Sequence, residues 1–315
     1  MTRCLDAPCL DAFPTIFLSP LSSLLSSSLR HCVTPSPHDP HPSQPLPLIV
    51  KLGGDAIDAP TLPNLCTALA ELHAALPAGI VIVHGGGKAV DRQLDRLALT
   101  SERRDGLRIT PPALMEQVTA ILAGVINTTL VGALTAQGVP AVGLTLGDGL
   151  LSVCEPLALD FDPGRVGDIA RGDPLLLTTL LDAAFLPVLS CVGLDAAGQT
   201  LNVNADHAAR SIARLTNASG LLLLTDAKGI LGPDQQPIAQ ITRPAIEDLI
   251  TSGVITAGMI PKARAAADAA DAAGVPATIA SWKTPADLLA LIHNQPLGTR
   301  VLPSVPAEPA TARRR

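Results

Sequence analysis

The segment Ile80-Val81-Ile82-Val83-His84-Gly85-Gly86-Gly87-Lys88 constrains this chain more than any other. An apolar run that passes straight into three glycines reads as a strand feeding a turn and then a helix. Without side chains, the backbone N–H groups of that turn can come close to a charged oxygen. A second turn, Lys51-Leu52-Gly53-Gly54, follows the apolar stretch from Pro47 to Val50 and brings a lysine to the end of its strand. Two glycine turns and a lysine suggest a site for anionic groups, phosphate above all.

Short apolar runs alternate with helical patterns through the middle of the chain. The strand-like runs are 48–50, 80–83, 141–144, 187–191, 221–224 and 278–280. Between them, Leu62, Leu65, Leu69 and Leu72 repeat at helical spacing, as do Leu114, Val118, Ile121 and Val125. Residues 262–273 are alanine-rich and stop at Gly274-Val275-Pro276, a well-punctuated helix end. This alternation predicts an α/β fold with a mostly parallel sheet and helices on both faces. Ligands of such folds bind beyond the carboxyl ends of the strands, where both glycine turns fall.

Composition narrows the ligand. With 47% hydrophobic residues in 315, the chain can fill one large domain or two lobes. Aromatics are only 2%, with no Tyr and one Trp, which argues against stacking platforms for single-stranded nucleic acid. A net charge of −6 leaves no broad basic surface, so nucleic acid is not an expected partner. An anionic substrate must then be held by a few local cations and backbone donors. No stretch approaches the roughly 18 to 20 apolar residues of a membrane span, and no membrane partner is expected. The six cysteines are scattered without a Cys-x-x-Cys pair, which reads as reduced thiols in a cytoplasmic protein.

Residues 1–46 are crowded with Ser and Pro, including Pro35, Pro37, Pro40, Pro42 and Pro45. Such composition cannot build a packed core, and the extension is expected to be disordered. A linker, a weak targeting segment and a start codon set too far upstream all fit it. Residues 303–315 are expected to be a disordered tail.

The common glycine motifs do not fit. A P-loop would need Gly at Ile82 and Ser or Thr at Ala89. A dinucleotide fingerprint starting at Gly85 would need Gly at Val90. His-Gly-Gly-Gly also builds oxyanion holes, but the chain has no G-x-S-x-G nucleophile elbow. An anion-binding turn of another kind remains.

Four further segments join the two turns. Gly106-Leu107-Arg108-Ile109-Thr110 offers an arginine suited to bidentate grip of a carboxylate. Asn202-Val203-Asn204-Ala205-Asp206 carries alternate polar residues into a helical pattern. Thr225-Asp226-Ala227-Lys228-Gly229-Ile230-Leu231 follows an apolar strand, and Gly258-Met259-Ile260-Pro261-Lys262 opens the alanine-rich helix.

In that order and spacing the set resembles the amino acid kinase family, and within it the branch that phosphorylates N-acetyl-L-glutamate. The resemblance covers about residues 48–302 and rests on the ordered combination, each motif alone being weak to moderate. It implies a three-layer αβα sandwich with an open, mainly parallel sheet and two lobes. Residues 47–216 would form an N-lobe for the acyl amino acid and for dimerisation, and 217–302 a C-lobe for ATP. The implied reaction moves the γ-phosphoryl of ATP, with Mg²⁺ held through the nucleotide phosphates, onto the side-chain carboxylate of N-acetyl-L-glutamate.

The resemblance also assigns roles. Lys51 and Lys262 match the lysines that stabilise the transferring phosphoryl from the two lobes, and Asp206 the carboxylate that orients both. Gly86, Gly87, Arg108 and Asn202 match substrate contacts, while Gly53 and Gly54 cradle phosphate. Asp226, Ala227, Lys228, Gly229, Ile230 and Leu231 match one nucleotide-binding segment, and Val254, Ile255 and Thr256 another. No protein ligand for a metal is expected.

The residue types suit phosphoryl transfer, whose catalysis is positioning plus electrostatic stabilisation of charge on three equatorial oxygens. A carboxylate is already ionised at pH 7, so no general base is needed. Simpler readings compete at some positions. Asp206 could be a helix N-cap, Arg103 and Arg104 read as plain surface charge, and His84 reads as structural. Trp282 is read as packing near the nucleotide side. Residues 288–302 resemble an arginine-insensitive, dimeric branch, which implies a homodimer without feedback inhibition. A carrier-linked aminoadipate kinase and a non-catalytic amino-acid sensor are the alternatives. Loss of Lys51, Asp206 or Lys262 would favour the sensor, and all three are present.

Overall fold

The computed structural model describes residues 45–305, apart from Asp105 and Ala257. The disorder expected of 1–46 and 303–315 therefore falls almost wholly outside the described residues. Every apolar run that reads as a strand is one. Leu48–Leu52, Ile80–His84, Ala141–Thr145, Leu186–Ser190, Gly220–Thr225 and Ala277–Ser281 join Gln240–Thr242 and Thr299–Leu302 in one eight-stranded sheet. From one edge the order is Gln240–Thr242, Thr299–Leu302, Ala277–Ser281, Gly220–Thr225, Leu48–Leu52, Ile80–His84, Leu186–Ser190, Ala141–Thr145. All pairings are parallel except that of Ala277–Ser281 with Thr299–Leu302.

Side chains alternate across a strand, and here the alternation divides each strand between two cores. Ile49, Val81, Val83, Leu189, Leu221 and Leu223 face one core, with helices Ala205–Leu215 and Ile260–Ala273. Val50, Leu52, Ile80, Ile82, Leu222 and Leu224 face the other, with helices Leu62–Ala75 and Gly87–Arg96. Three layers result: helices, sheet, helices. Burial on both faces is what makes these strands continuously apolar rather than alternating. Helix Ile260–Ala273 buries six alanines and ends on Gly274 at φ +70°, a left-handed cap that costs glycine little.

Register sets the site. Lys51 pairs with Val83 and with Leu223, and Leu52 with His84. Three adjacent central strands therefore end side by side, and they release the Gly53 turn, the Gly85 turn and Asp226 at one edge. A smaller sheet of Ser152–Pro156, Val166–Gly172, Thr200–Val203 and Val192–Leu194 carries Asn202 toward the same place. A hairpin of Arg103–Arg104 and Leu107–Arg108 stands apart as its own two-stranded sheet.

Two expectations need correction. Leu114, Val118 and Ile121 are buried as their spacing predicts, but Val125 is 58% exposed. The stretch Ala120–Ile126 is π-helical, and its wider turn shifts the apolar face to Leu122, Ile126, Leu130 and Leu134. The stretch also belongs to a continuous helix, Pro112–Thr135, of 24 residues, whose most apolar 18-residue window has a mean hydropathy of 1.7. By length and composition that helix could cross a membrane, although no such stretch was expected. Interspersed Gln, Gly, Asn and Thr hide it from a search for unbroken apolar runs. The helix lies on the second core, with 39% of its most apolar window buried.

Candidate active site

The two glycine turns touch through their backbones. Gly85 N donates to Leu52 O at 2.9 Å. A Cβ placed on Gly54 would lie 3.0 Å from Gly86 Cα, so the turns pack as only side-chain-free residues can. Gly86 is the N-cap residue and Gly87 the first residue of helix Gly87–Arg96. Its first-turn N–H groups have no intrahelical partners, which suits the turn to an anion.

Lys51 reaches into this corner from the end of its strand. Its Nζ lies 2.9 Å from Asp206 Oδ1 and 3.2 Å from Oδ2, with the lysine side chain 16% exposed. Asp206 does not cap its helix. Asn204 does, its Oδ1 accepting from Asp206 N at 2.8 Å and His207 N at 3.3 Å. The capping role is filled two residues earlier, which leaves the Asp206 carboxylate to the lysine.

Lys262, in the first turn of helix Ile260–Ala273, makes its ion pair with Asp226. A cation there opposes the helix dipole, and Asp226 offsets that opposition. The hydrogen bond and charge of Lys262 hold the Asp226 carboxyl below its usual range, against partial burial. Asp206 was expected to orient both lysines. Instead each lysine has its own carboxylate, because Asp226 stands at the end of the strand beside that of Lys51.

Two cavities share this corner. One, of about 320 Å³, is lined by Gly85, Gly86, Gly87, Arg108, Asn202 and Asp206, with Val90, Val118, Leu122, Val166 and Cys191 as its apolar wall. The other, of about 890 Å³, is lined by Lys88, Asp226, Pro261, Lys262, Ala265 and Trp282. Lys51, Gly53, Gly54, Gly87, Arg103 and Asp206 line both. The smaller cavity combines polar groups with an apolar wall, as a short acyl-bearing acid requires. The larger has two lysines and two glycine turns, as a polyphosphate requires.

Arg108 is buried, with Nη2 at 2.5 Å from Asp91 Oδ1 and 2.9 Å from Gly87 O, and Nη1 at 2.5 Å from Ser101 Oγ. Asn202 Nδ2 donates to Thr110 Oγ1 at 3.1 Å. Arg103, read as surface charge, instead lies at the junction of the cavities. It is the cross-strand partner of Arg108, so both side chains share a face. A hairpin reading of Arg103 to Arg108 around Gly106 would have placed it there.

The nucleotide segments are brought in only partly. Asp226 lines the larger cavity, while Ala227, Lys228, Gly229, Ile230, Leu231, Val254, Ile255 and Thr256 line neither. Ile230 and Ile255 are buried in the core, so only their backbones are free to meet a ligand. Ile230 N is already committed to Thr299 Oγ1 at 2.8 Å. Thr256 O accepts from Met259 N and Ile260 N, so this segment sets the start of the helix that carries Lys262.

His84 holds the triple-glycine turn from below and is fully buried. Asn127 Nδ2 approaches His84 Nε2 at 3.1 Å, which leaves Nδ1 to donate to Gly85 O, also at 3.1 Å. Burial pushes the imidazole down from 6.5 to about 4. As pH falls the unfolded chain takes this proton first, so the stabilisation is full above about pH 6.5 and is lost toward pH 4. The loss is about 3 kcal/mol at most. Urea midpoints should fall between pH 7 and 4.5, and fall less steeply for His84→Gln. Parallel pH profiles for the two proteins would contradict this by showing that folding leaves the His84 pKa unshifted.

Known proteins converge on the same reading. Residues 47–281 match the model of the amino acid kinase family. The acetylglutamate kinase of Serratia proteamaculans (strain 568) is 44% identical over 259 residues, which cover 81% of this chain and 99% of that protein. The acetylglutamate kinase of Pasteurella multocida (strain Pm70) is 42% identical over 258 residues, again 99% of its length. In fold alone, N-acetylglutamate synthase from Neisseria gonorrhoeae superposes with a TM-score of 0.71 at 23% identity, over 82% of this chain and 60% of that one. Giardia carbamate kinase does so at 0.58 and 21%, over 83% and 100%. Sheet order, paired glycine turns and sequence kinship agree: the chain belongs to the amino acid kinase family.

Proposed function

We propose that this chain transfers the γ-phosphoryl group of ATP to the side-chain carboxylate of N-acetyl-L-glutamate. The product is N-acetyl-L-glutamyl 5-phosphate, and the reaction is the second step of arginine or ornithine synthesis. One observation carries the reading: a cavity sized for a small acyl amino acid and a cavity sized for a nucleotide meet at Lys51. Kinship with the Serratia and Pasteurella acetylglutamate kinases over nearly their whole length supports the substrate.

In this reading Arg108 takes the α-carboxylate and Asn202 the acetamido group, with the methyl against Val118 and Leu122. The side-chain carboxylate then points at the junction. One of its oxygens attacks the γ-phosphorus, the bond to the β-phosphate oxygen breaks, and ADP leaves with that electron pair. No proton moves. Lys51 neutralises the equatorial oxygens from the acyl side and Lys262 the leaving oxygen from the nucleotide side, with Gly53, Gly54 and Gly87 donating N–H groups. A magnesium ion would be held through the nucleotide phosphates and would neutralise part of their charge, in a cavity that Asp55, Asp91, Asp206 and Asp226 also line. Residues 47–216 would thus serve the acyl amino acid and 217–302 the nucleotide.

We also read the protein as a cytoplasmic homodimer. Among the described residues the edge strand Ala141–Thr145 is unpaired on its outer side, and the exposed helix face with Gly124, Val125 and Gly132 is apolar and small-sided.

Hydroxylamine trapping of the acyl phosphate tests the substrate, with N-acetyl-L-glutamate, L-glutamate and L-2-aminoadipate assayed side by side against ATP and Mg²⁺. Turnover of N-acetyl-L-glutamate above the other two is expected. Turnover of aminoadipate alone, or none of the three, would overturn the assignment.

A further inference from the structure

We propose that Asp91 is a positioning residue that sets Arg108 and Arg103 over the smaller cavity and thereby governs affinity for the acyl amino acid. The proposal rests on the reading of that cavity given above. Asp91 stands one turn after Gly87 on helix Gly87–Arg96, so it lies on the same face as the glycine turn. Its Oδ1 is 2.5 Å from Arg108 Nη2, and its Oδ2 is 3.0 Å from Arg103 Nη2. One carboxylate therefore holds two guanidinium groups.

The two arginines need that arrangement. They face each other across the hairpin, where like charges repel. Arg108 is also nearly withdrawn from water, its side chain only 5% exposed. Burial works against its charge, Asp91 works for it, and the charge of Arg103 works against it. Burial likewise disfavours the Asp91 carboxylate, but hydrogen bonds from Arg108 and Arg103 prevail and hold its pKa below the usual value. Asp91 so ties the hairpin to the glycine turn. A Cβ on Gly87 would lie 3.0 Å from Arg103 Nη2, which shows how closely the guanidinium rests there.

The contacts leave capacity for a ligand. Of the five N–H groups of Arg108, Asp91, Gly87 O and Ser101 Oγ take three, and two remain. Asp91 orients the fork without saturating it, and it makes no contact with the transferring group in this reading. Its loss should accordingly appear in binding of the acid and not in the chemical step.

Asp91→Asn keeps the shape, removes the charge and can satisfy only one guanidinium through its single oxygen. The expected result is a KM for N-acetyl-L-glutamate raised about tenfold or more, with kcat within about threefold of the parent. Asp91→Glu should recover most of that affinity, because it keeps the charge. An unchanged KM in Asp91→Asn, or an equal loss in kcat, would overturn the proposal. So would failure of Asp91→Glu to recover affinity. Arg108→Lys, assayed in parallel, separates the two layers of argument. If it raises KM for the acid while Asp91→Asn does not, the positioning role falls and the cavity assignment stands. If neither variant changes KM, the cavity assignment falls with it.

Discussion

Lys51→Ala is expected to lower kcat by roughly 10²–10³, with KM for ATP changed little. The lysine lies at the meeting of the two cavities with its side chain only 16% exposed. Its charge therefore acts where solvent screening is weak and where negative charge grows on the transferring group. Lys262 is 35% exposed and shares its charge with Asp226, so Lys262→Ala should cost less. Steady-state kinetics of both variants checks the order. Removing Lys51 also leaves Asp206 without its partner, so thermal unfolding of the variant belongs beside the kinetics. A kcat loss matched by gross unfolding, or a Lys262→Ala defect exceeding that of Lys51→Ala, would contradict the assignment of charge.

Gly54→Ala adds one methyl and is expected to abolish most activity. The added Cβ would stand 3.0 Å from the Gly86 backbone, and no flexible side chain is there to move aside. The two turns would have to separate. Overpacking of this kind costs about 1–3 kcal/mol in stability, while a shift on the order of 1 Å between reacting groups can cost about 10² in rate. The kinetic penalty should thus exceed the loss of stability. By contrast Gly53→Ala, with nothing within 4 Å of its added Cβ, should be tolerated far better by the fold. Melting temperature and kcat for the two variants decide the matter. Equal behaviour of the pair would show that the turns do not depend on close approach.

Much of this arrangement is written plainly in the chain. Five of the six strands are legible because burial on both faces makes them continuous apolar runs, and the two glycine turns because nothing else explains five bare residues after such runs. Lys51 and Asp206 come together as read, although they are 155 residues apart. The failures share a cause, which is that local pattern does not reveal backbone direction. Val125 departs from its helical stripe because a π-helical turn rotates the face. Ile230 and Ile255 sit beside the nucleotide cavity in sequence while their side chains turn into the core. Arg103 reads as one of a pair of solvated arginines until a two-residue strand fixes its face opposite Arg108. The pairing of Lys262 with Asp226 depends on neighbouring strands in the sheet, an order no single segment encodes.

A crystal structure with ADP, Mg²⁺, aluminium fluoride and N-acetyl-L-glutamate would examine the two-lysine arrangement atom by atom. Both Nζ atoms should contact the fluoride group from opposite sides, with the substrate's side-chain carboxylate in line with the leaving oxygen. Either ammonium turned away from that group, or the amino acid seated outside the cavity of Arg108 and Asn202, would contradict it.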